Sequence, residues 1–123
     1  MEKQIRVCLI LIVISLLFSC TKNTLEINEN SNIKTITSPG MYFSPDTLIA
    51  SLGDTITFSM TPTHNAIEVS EETYINNETQ SNNGFSINYG ETKNIILDQA
   101  KVYYYVCQPH IQFNMKGIII VLE

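Results

Sequence analysis

The run Tyr103-Tyr104-Tyr105-Val106-Cys107-Gln108-Pro109-His110-Ile111-Gln112-Phe113-Asn114-Met115-Lys116-Gly117 places a thiol, an imidazole and a thioether between two strand-like apolar stretches. Side chains alternate along a strand, so Tyr103, Tyr105 and Cys107 share a face. With the rings building a core, the thiol points inward beside them. The stretch from Gln108 to Asn114 then doubles back, with Pro109 stiffening the turn next to His110, and brings Met115 to the same end. Lys116-Gly117 opens a final strand. Soft sulfur beside nitrogen on one short loop is a donor mixture suited to copper.

Upstream, the only other histidine is His64, in Thr61-Pro62-Thr63-His64-Asn65. The run from Thr55 to Met60 leads into it and alternates, with Ile56, Phe58 and Met60 on one face and Thr55, Thr57 and Ser59 on the other. A period of two marks a strand with one wet face. Further strands are expected over Ile33 to Thr37, Thr47 to Leu52, Ala66 to Val69, Phe85 to Tyr89, Asn94 to Leu97, Val102 to Cys107 and Gly117 to Leu122. Ser38-Pro39-Gly40 and Gly53-Asp54 read as turns, with Met41-Tyr42-Phe43 between them. The acidic, Asn-rich stretch from Ser70 to Gly84 reads as a long surface excursion anchored by Tyr74 and Ile75. Seven to eight short strands without a helical window predict an all-β Greek-key sandwich or barrel.

A chain of 123 residues has room for one domain. Plentiful Asn, Thr, Ser and Ile suit β-structure with polar loops better than helices. Lys3 and Arg6 followed by the apolar run from Val7 to Phe18 read as an export signal, too short to cross a bilayer comfortably. Leu17-Phe18-Ser19-Cys20 resembles the lipobox of bacterial lipoproteins. That resemblance implies a signal peptide over 1–19, acyl chains on Cys20 and attachment to a membrane in the bacterial cell envelope. Residues 20–32 then form a lipidated, polar tether, and 33–123 the folded domain. Twelve flexible residues reach about 20 Å on average.

Of the three cysteines, Cys8 lies in the signal and Cys20 is the lipidation point, so Cys107 has no disulfide partner. The mature chain carries eleven acidic and five basic side chains, a net charge of −6. Nucleic acid is an unsuited partner for such a surface. Glu68, Glu71, Glu72 and Glu78 could group into an acidic patch steering a basic redox partner, or form a solvated face.

Cys-x2-His-x4-Met, after an aromatic strand and before Gly-x-Ile-x-Val, resembles the copper-binding loop of the cupredoxins, especially plastocyanins and pseudoazurins. The resemblance extends back through Phe43-x-Pro45, Leu48, Ala50, Gly53-Asp54, Ile56, Phe58 and His64-Asn65. It implies one copper ion, cycling between Cu(I) and Cu(II), with His64, Cys107 and His110 as equatorial ligands and Met115 as the long axial one. It also implies that Asn65 ties the upstream loop to the cysteine loop, orienting the ligands. The edge of His110, ringed by Pro109, Ile111 and Phe113, becomes the electron port and docking patch for transient redox partners.

Some positions depart from the family pattern. Lys101 stands where glycine is common, Ile111 to Asn114 replace small residues before the axial Met, and Val106 replaces a tyrosine. The implied function is electron transfer by a membrane-anchored monomer. Copper binding for storage or delivery could use the same ligands. A multicopper enzyme would need further histidines, and both are already used.

Overall fold

The computed structural model describes residues 34–123. The expected signal over 1–19, lipidated Cys20 and tether over 20–32 lie outside the described residues. Nine strands occur among them: β1 (Thr35–Gly40), β2 (Tyr42–Ser44), β3 (Thr47–Ser51), β4 (Thr55–Ser59), β5 (Ala66–Val69), β6 (Ser81–Ile87), β7 (Thr92–Ile96), β8 (Val102–Val106) and β9 (Lys116–Leu122). They form a four-stranded sheet, β2-β1-β4-β7, and a five-stranded sheet, β3-β9-β8-β5-β6. The architecture is the expected all-β sandwich. Most neighbours are antiparallel, but β1 runs parallel to β4 and β3 parallel to β9.

Alternation explains the core. Ile56 and Phe58 of β4 are fully buried, as are Tyr105 of β8 and Ile119 of β9, while intervening side chains face outward. Tyr105 sits at the centre, its ring edge-to-face with Phe43 at 4.9 Å and with Phe58 at 5.4 Å between centroids. Such arrangements add to the stabilisation from buried area. Cys107 and Met115 belong to the same cluster, so the candidate site is one end of the core.

Two local expectations are corrected. Ser38-Pro39-Gly40 is not a turn but the end of β1, and the reversal falls at Met41. Ser38 is held because its Oγ accepts the Thr61 N–H at 2.9 Å. The stretch from Ser70 to Gly84 is not a loose excursion: it contains a short helix, α1 (Glu71–Ile75), and the start of β6. Ser70 Oγ accepts the Thr73 N–H at 3.1 Å, and Glu71 and Glu72 lie in the first turn. Both features favour a helix start. One turn is too short for its periodicity to show in the sequence.

Glu68 was expected to be able to join a surface patch, yet it is 5% exposed. Its carboxylate accepts from Asn82 Nδ2 at 3.1 Å, the Phe85 N–H at 3.1 Å and Lys101 Nζ at 3.0 Å. Lys101, in the position where glycine was noted as common, therefore supplies the countercharge for a buried carboxylate. A buried ion needs such partners to be tolerated.

Gly117 sits where a strand residue with a side chain could not. A Cβ there would collide with the Tyr105 phenol and come within 2.8 Å of the Asp46 carbonyl oxygen. The Tyr105 hydroxyl is buried without a hydrogen-bond partner among the described residues, and burial pushes its pKa far above the ordinary phenol value. Tyr105→Phe is therefore expected to stabilise the protein by about 1 kcal/mol, raising Tm by about 4–8 °C. A Tm in calorimetry equal to or below the parent's would contradict this account. Gly117→Ala should destabilise by about 1–3 kcal/mol or more through overpacking, measured by chemical denaturation.

Candidate metal centre

β8 delivers Cys107 to the end of the sandwich, 0% exposed and in no disulfide among the described residues. The chain then makes a 3-10 turn, Gln108–Phe113, with Pro109 in its first positions. Proline is preorganised there and has no N–H to leave unpaired. Asn114 ends the turn in the left-handed conformation at φ 60°, a role asparagine tolerates. The Cys107 N–H donates to the Met115 carbonyl at 2.9 Å, and the Met115 N–H to the His110 carbonyl at 3.3 Å. These bonds close the loop and place Met115, also 0% exposed, in the core cluster with Cys107.

His110 Nδ1 lies 3.5 Å from Cys107 Sγ. His64 enters from the β4–β5 connection, where its N–H donates to the Thr61 carbonyl at 3.0 Å. Its ring centroid is 4.8 Å from that of His110, with the planes 70° apart. The two loops are joined by Asn65. Its Oδ1 accepts the Gln108 N–H at 2.9 Å and its Nδ2 donates to Gln108 Oε1 at 2.8 Å. His64, Asn65, Cys107, His110 and Met115 are thus gathered at one end.

No three His, Cys, Asp or Glu side chains among the described residues, His64, Cys107 and His110 included, stand together as an already formed metal-holding group. The donors gathered here are two imidazoles and a thiol completed by a thioether, a set that fits a soft, borderline ion such as copper. Burial pushes the Cys107 thiol pKa up, opposed by the backbone at Asn65 and His110. Burial also lowers the His64 pKa, helped by the nearby His110 and offset in part by the Ser38 backbone. In the absence of a cation these groups favour the neutral thiol and a neutral His64 imidazole. A bound metal ion reverses that preference for the thiol, since a coordinating thiol is deprotonated.

The surface around the site differs from the expected patch. Pro109 and Phe113 are exposed and His110 is partly so, with the His110 and Phe113 rings 6.2 Å apart. Ile111 is instead 6% exposed. It packs with Ile67, Val69 and Val106 in a second cluster on the outer face of the five-stranded sheet. Met41, 52% exposed, was not foreseen. Because β1 runs parallel to β4, the reversal at Met41 emerges at the same end as Thr61 and His64. No local pattern marks it, since only the strand pairing fixes that end.

A reduced amicyanin variant superposes with a TM-score of 0.55 at 19% identity, over 75% of this chain and 84% of that one. A pseudoazurin from Sinorhizobium meliloti superposes with a TM-score of 0.55 at 24% identity, over 72% of each chain. Oxidised plastocyanin from Dryopteris crassirhizoma gives 0.52 at 18% identity, over 72% of this chain and 99% of that one. Among curated protein sequences none matches. The model of the copper-binding proteins of the plastocyanin/azurin family matches residues 30–122. This chain therefore belongs to that family of copper-binding electron-transfer proteins, whose cofactor is one copper ion.

Proposed function

We propose that the protein is a membrane-anchored carrier of single electrons in the bacterial cell envelope, with His64, Cys107 and His110 as equatorial copper ligands and Met115 as the axial one. The observation that carries this reading is the convergence of these donors, from two loops tied by Asn65 and Gln108, at one buried end of the core. When bound, copper supplies a one-electron couple. The chain supplies rigidity: Cys107 and Met115 exclude water, and the loop bonds hold the donors in one arrangement for both oxidation states. Little rearrangement on electron gain or loss favours fast transfer.

His64, Cys107 and Met115 are buried, whereas His110 is partly exposed. The edge of His110 is therefore the shortest route between the donors and a partner. Pro109 and Phe113 surround it, and Met41 extends the apolar surface at this end. A small apolar patch suits partners that bind weakly and leave quickly. Acyl chains on Cys20 would hold the domain near membrane partners, since each buried methylene contributes about 0.8 kcal/mol.

Purified protein given Cu(II) is expected to show an intense blue thiolate-to-copper band and a reversible one-electron wave in voltammetry. Cys107→Ser should abolish both. Met115→Leu should keep the colour and raise the potential, because leucine offers no electron pair to the more highly charged ion. Tight copper binding without a reversible wave would reject the carrier reading in favour of storage or delivery. In cells, Cys20→Ser should move the protein from the membrane fraction to the soluble envelope fraction and remove fatty-acid labelling. Persistent membrane association would rule out the lipid anchor.

A further inference from the structure

We propose that the end of the sandwich opposite the donor site rests on the lipid surface, so that the exposed edge of His110 points away from the membrane; this rests on the lipid-anchor reading above. Strand direction sets the two ends. β1 runs parallel to β4 and finishes beside Thr61 and His64, so the chain enters the described residues at Lys34, toward the far end. The Lys34 carbonyl accepts the Thr57 N–H at 2.9 Å, and its ammonium pairs with Asp54 of the β3–β4 turn. β9 likewise leads away from Met115 to end at Leu122, and β7 ends at Ile96, opposite Thr55.

The most exposed large apolar side chains divide between the two ends. Met41, Tyr42 and Phe113 belong to the donor end. Leu52, Ile96 and Leu122, exposed by 50%, 69% and 54%, belong to the far end, with Ile49, 62% exposed, on its flank. Backbone bonds make them neighbours: the Leu52 N–H donates to the Leu122 carbonyl at 2.9 Å, and the Gly53 N–H to the Leu97 carbonyl at 2.7 Å. Ile49 pairs with the partly buried Ile120, two residues before Leu122. Apolar side chains scattered singly over a surface are ordinary, whereas a group gathered at one end marks a contact.

Chain length and charge identify lipid as the occupant. Residues 21–33 separate Cys20 from Lys34, and a chain of that length spans about 20 Å on average. β9 alone covers about 20 Å from one end of the domain to the other. An acylated Cys20 therefore reaches the far end readily, whereas seating the donor end on the bilayer would draw the connection along the whole domain. The lysines at the far end are matched by carboxylates, Lys34 by Asp54 and Lys101 by Glu68, while Asp98 and Glu123 are exposed. Such a surface has no excess of cations to hold an acidic protein or anionic headgroups. Its contact with the bilayer is made by aliphatic side chains set into the boundary between headgroups and acyl chains, and so is insensitive to salt. An electron partner then meets His110 from the aqueous side, about one strand length from the lipid.

The chain has no tryptophan, so a single introduced indole reports its own surroundings. The full chain carrying Leu122→Trp or, at the donor end, Phe113→Trp is reconstituted into phosphatidylcholine vesicles with and without brominated acyl chains. Emission of the Leu122→Trp protein is expected to be blue-shifted and quenched severalfold more than that of Phe113→Trp, at low and high salt alike. Adding Leu52→Glu and Ile96→Glu, both at exposed positions, should cut that quenching severalfold while fatty-acid labelling of Cys20 persists. Equal quenching at the two ends, stronger quenching in Phe113→Trp, or none in either overturns the proposal. So does a blue shift of Leu122→Trp before lipid is added, in a Cys20→Ser protein that sediments as a dimer, which assigns the surface to a second copy of the chain. Absence of fatty-acid labelling rejects the lipid anchor, and quenching at vesicle excess still decides whether this end meets lipid.

Discussion

The side-chain amide of Asn65 is bonded at both ends to a single residue, Gln108, and the site depends on that pair. Strands β5 and β8 are neighbours, with Ile67 opposite Val106, but the ladder stops short of His64 and Cys107. Beyond it the two connections are irregular, and only side-chain bonds can hold them together. Asn65 also does what Cys107 does not. The 3-10 turn has no cap from the side chain of Cys107, and its first N–H is satisfied by Asn65 Oδ1 from the other loop. A buried amide left unpaired costs about 1–3 kcal/mol, so the two loops are locked with one bidentate contact. Asn65 is 4% exposed, which makes water a poor substitute.

Burial then determines the chemistry of the donors. The environment of Cys107 disfavours a bare thiolate and that of His64 disfavours imidazolium. A cation is the partner that lets the thiol lose its proton in such a place, so metal binding and proton release are coupled. The same burial keeps Cys107 and Met115 in contact with a packed interior centred on Tyr105. Gly117 matters for the same reason. Its missing side chain lets the Tyr105 ring lie under the start of β9, immediately after Met115.

A second, smaller core on the outer face of the five-stranded sheet accounts for the bulk of the loop. Ile111 packs there with Ile67, Val69 and Val106, and Tyr74 and Tyr104 pack against them, their rings 5.1 Å apart. Lys116 Nζ donates to the Tyr74 carbonyl and to Asn77 Oδ1, each at 2.8 Å, and lies over the Tyr74 ring. Helix α1 and the cysteine loop thereby cover the outer face of β5, the main core covers its inner face, and all of its residues are buried. In the cysteine loop the exposed apolar side chains are Pro109 and Phe113, beside the partly exposed His110, with Met41 at the same end.

Much of this was legible in the residues. The alternation of Ile56, Phe58 and Met60, and of Tyr103, Tyr105 and Cys107, depends only on strand geometry, and it placed those side chains inside. The order of His64-Asn65, Cys107, His110 and Met115 pointed to one metal because those donor types suit copper. Exposure was another matter. Ile111 read as surface from its loop, Glu68 as a possible patch member from its charge, and Ser70 to Gly84 as irregular from its polarity. In each case a partner lay far away in sequence: Ile67 and Val69 for Ile111, Lys101 for Glu68, and Lys116 and Tyr104 for the segment carrying α1. Sequence alone determined periodicity and donor chemistry, because both are local properties of the chain. Tertiary structure decided which polar groups are paired inside and which apolar ones face a partner, because burial depends on strands that meet only after folding.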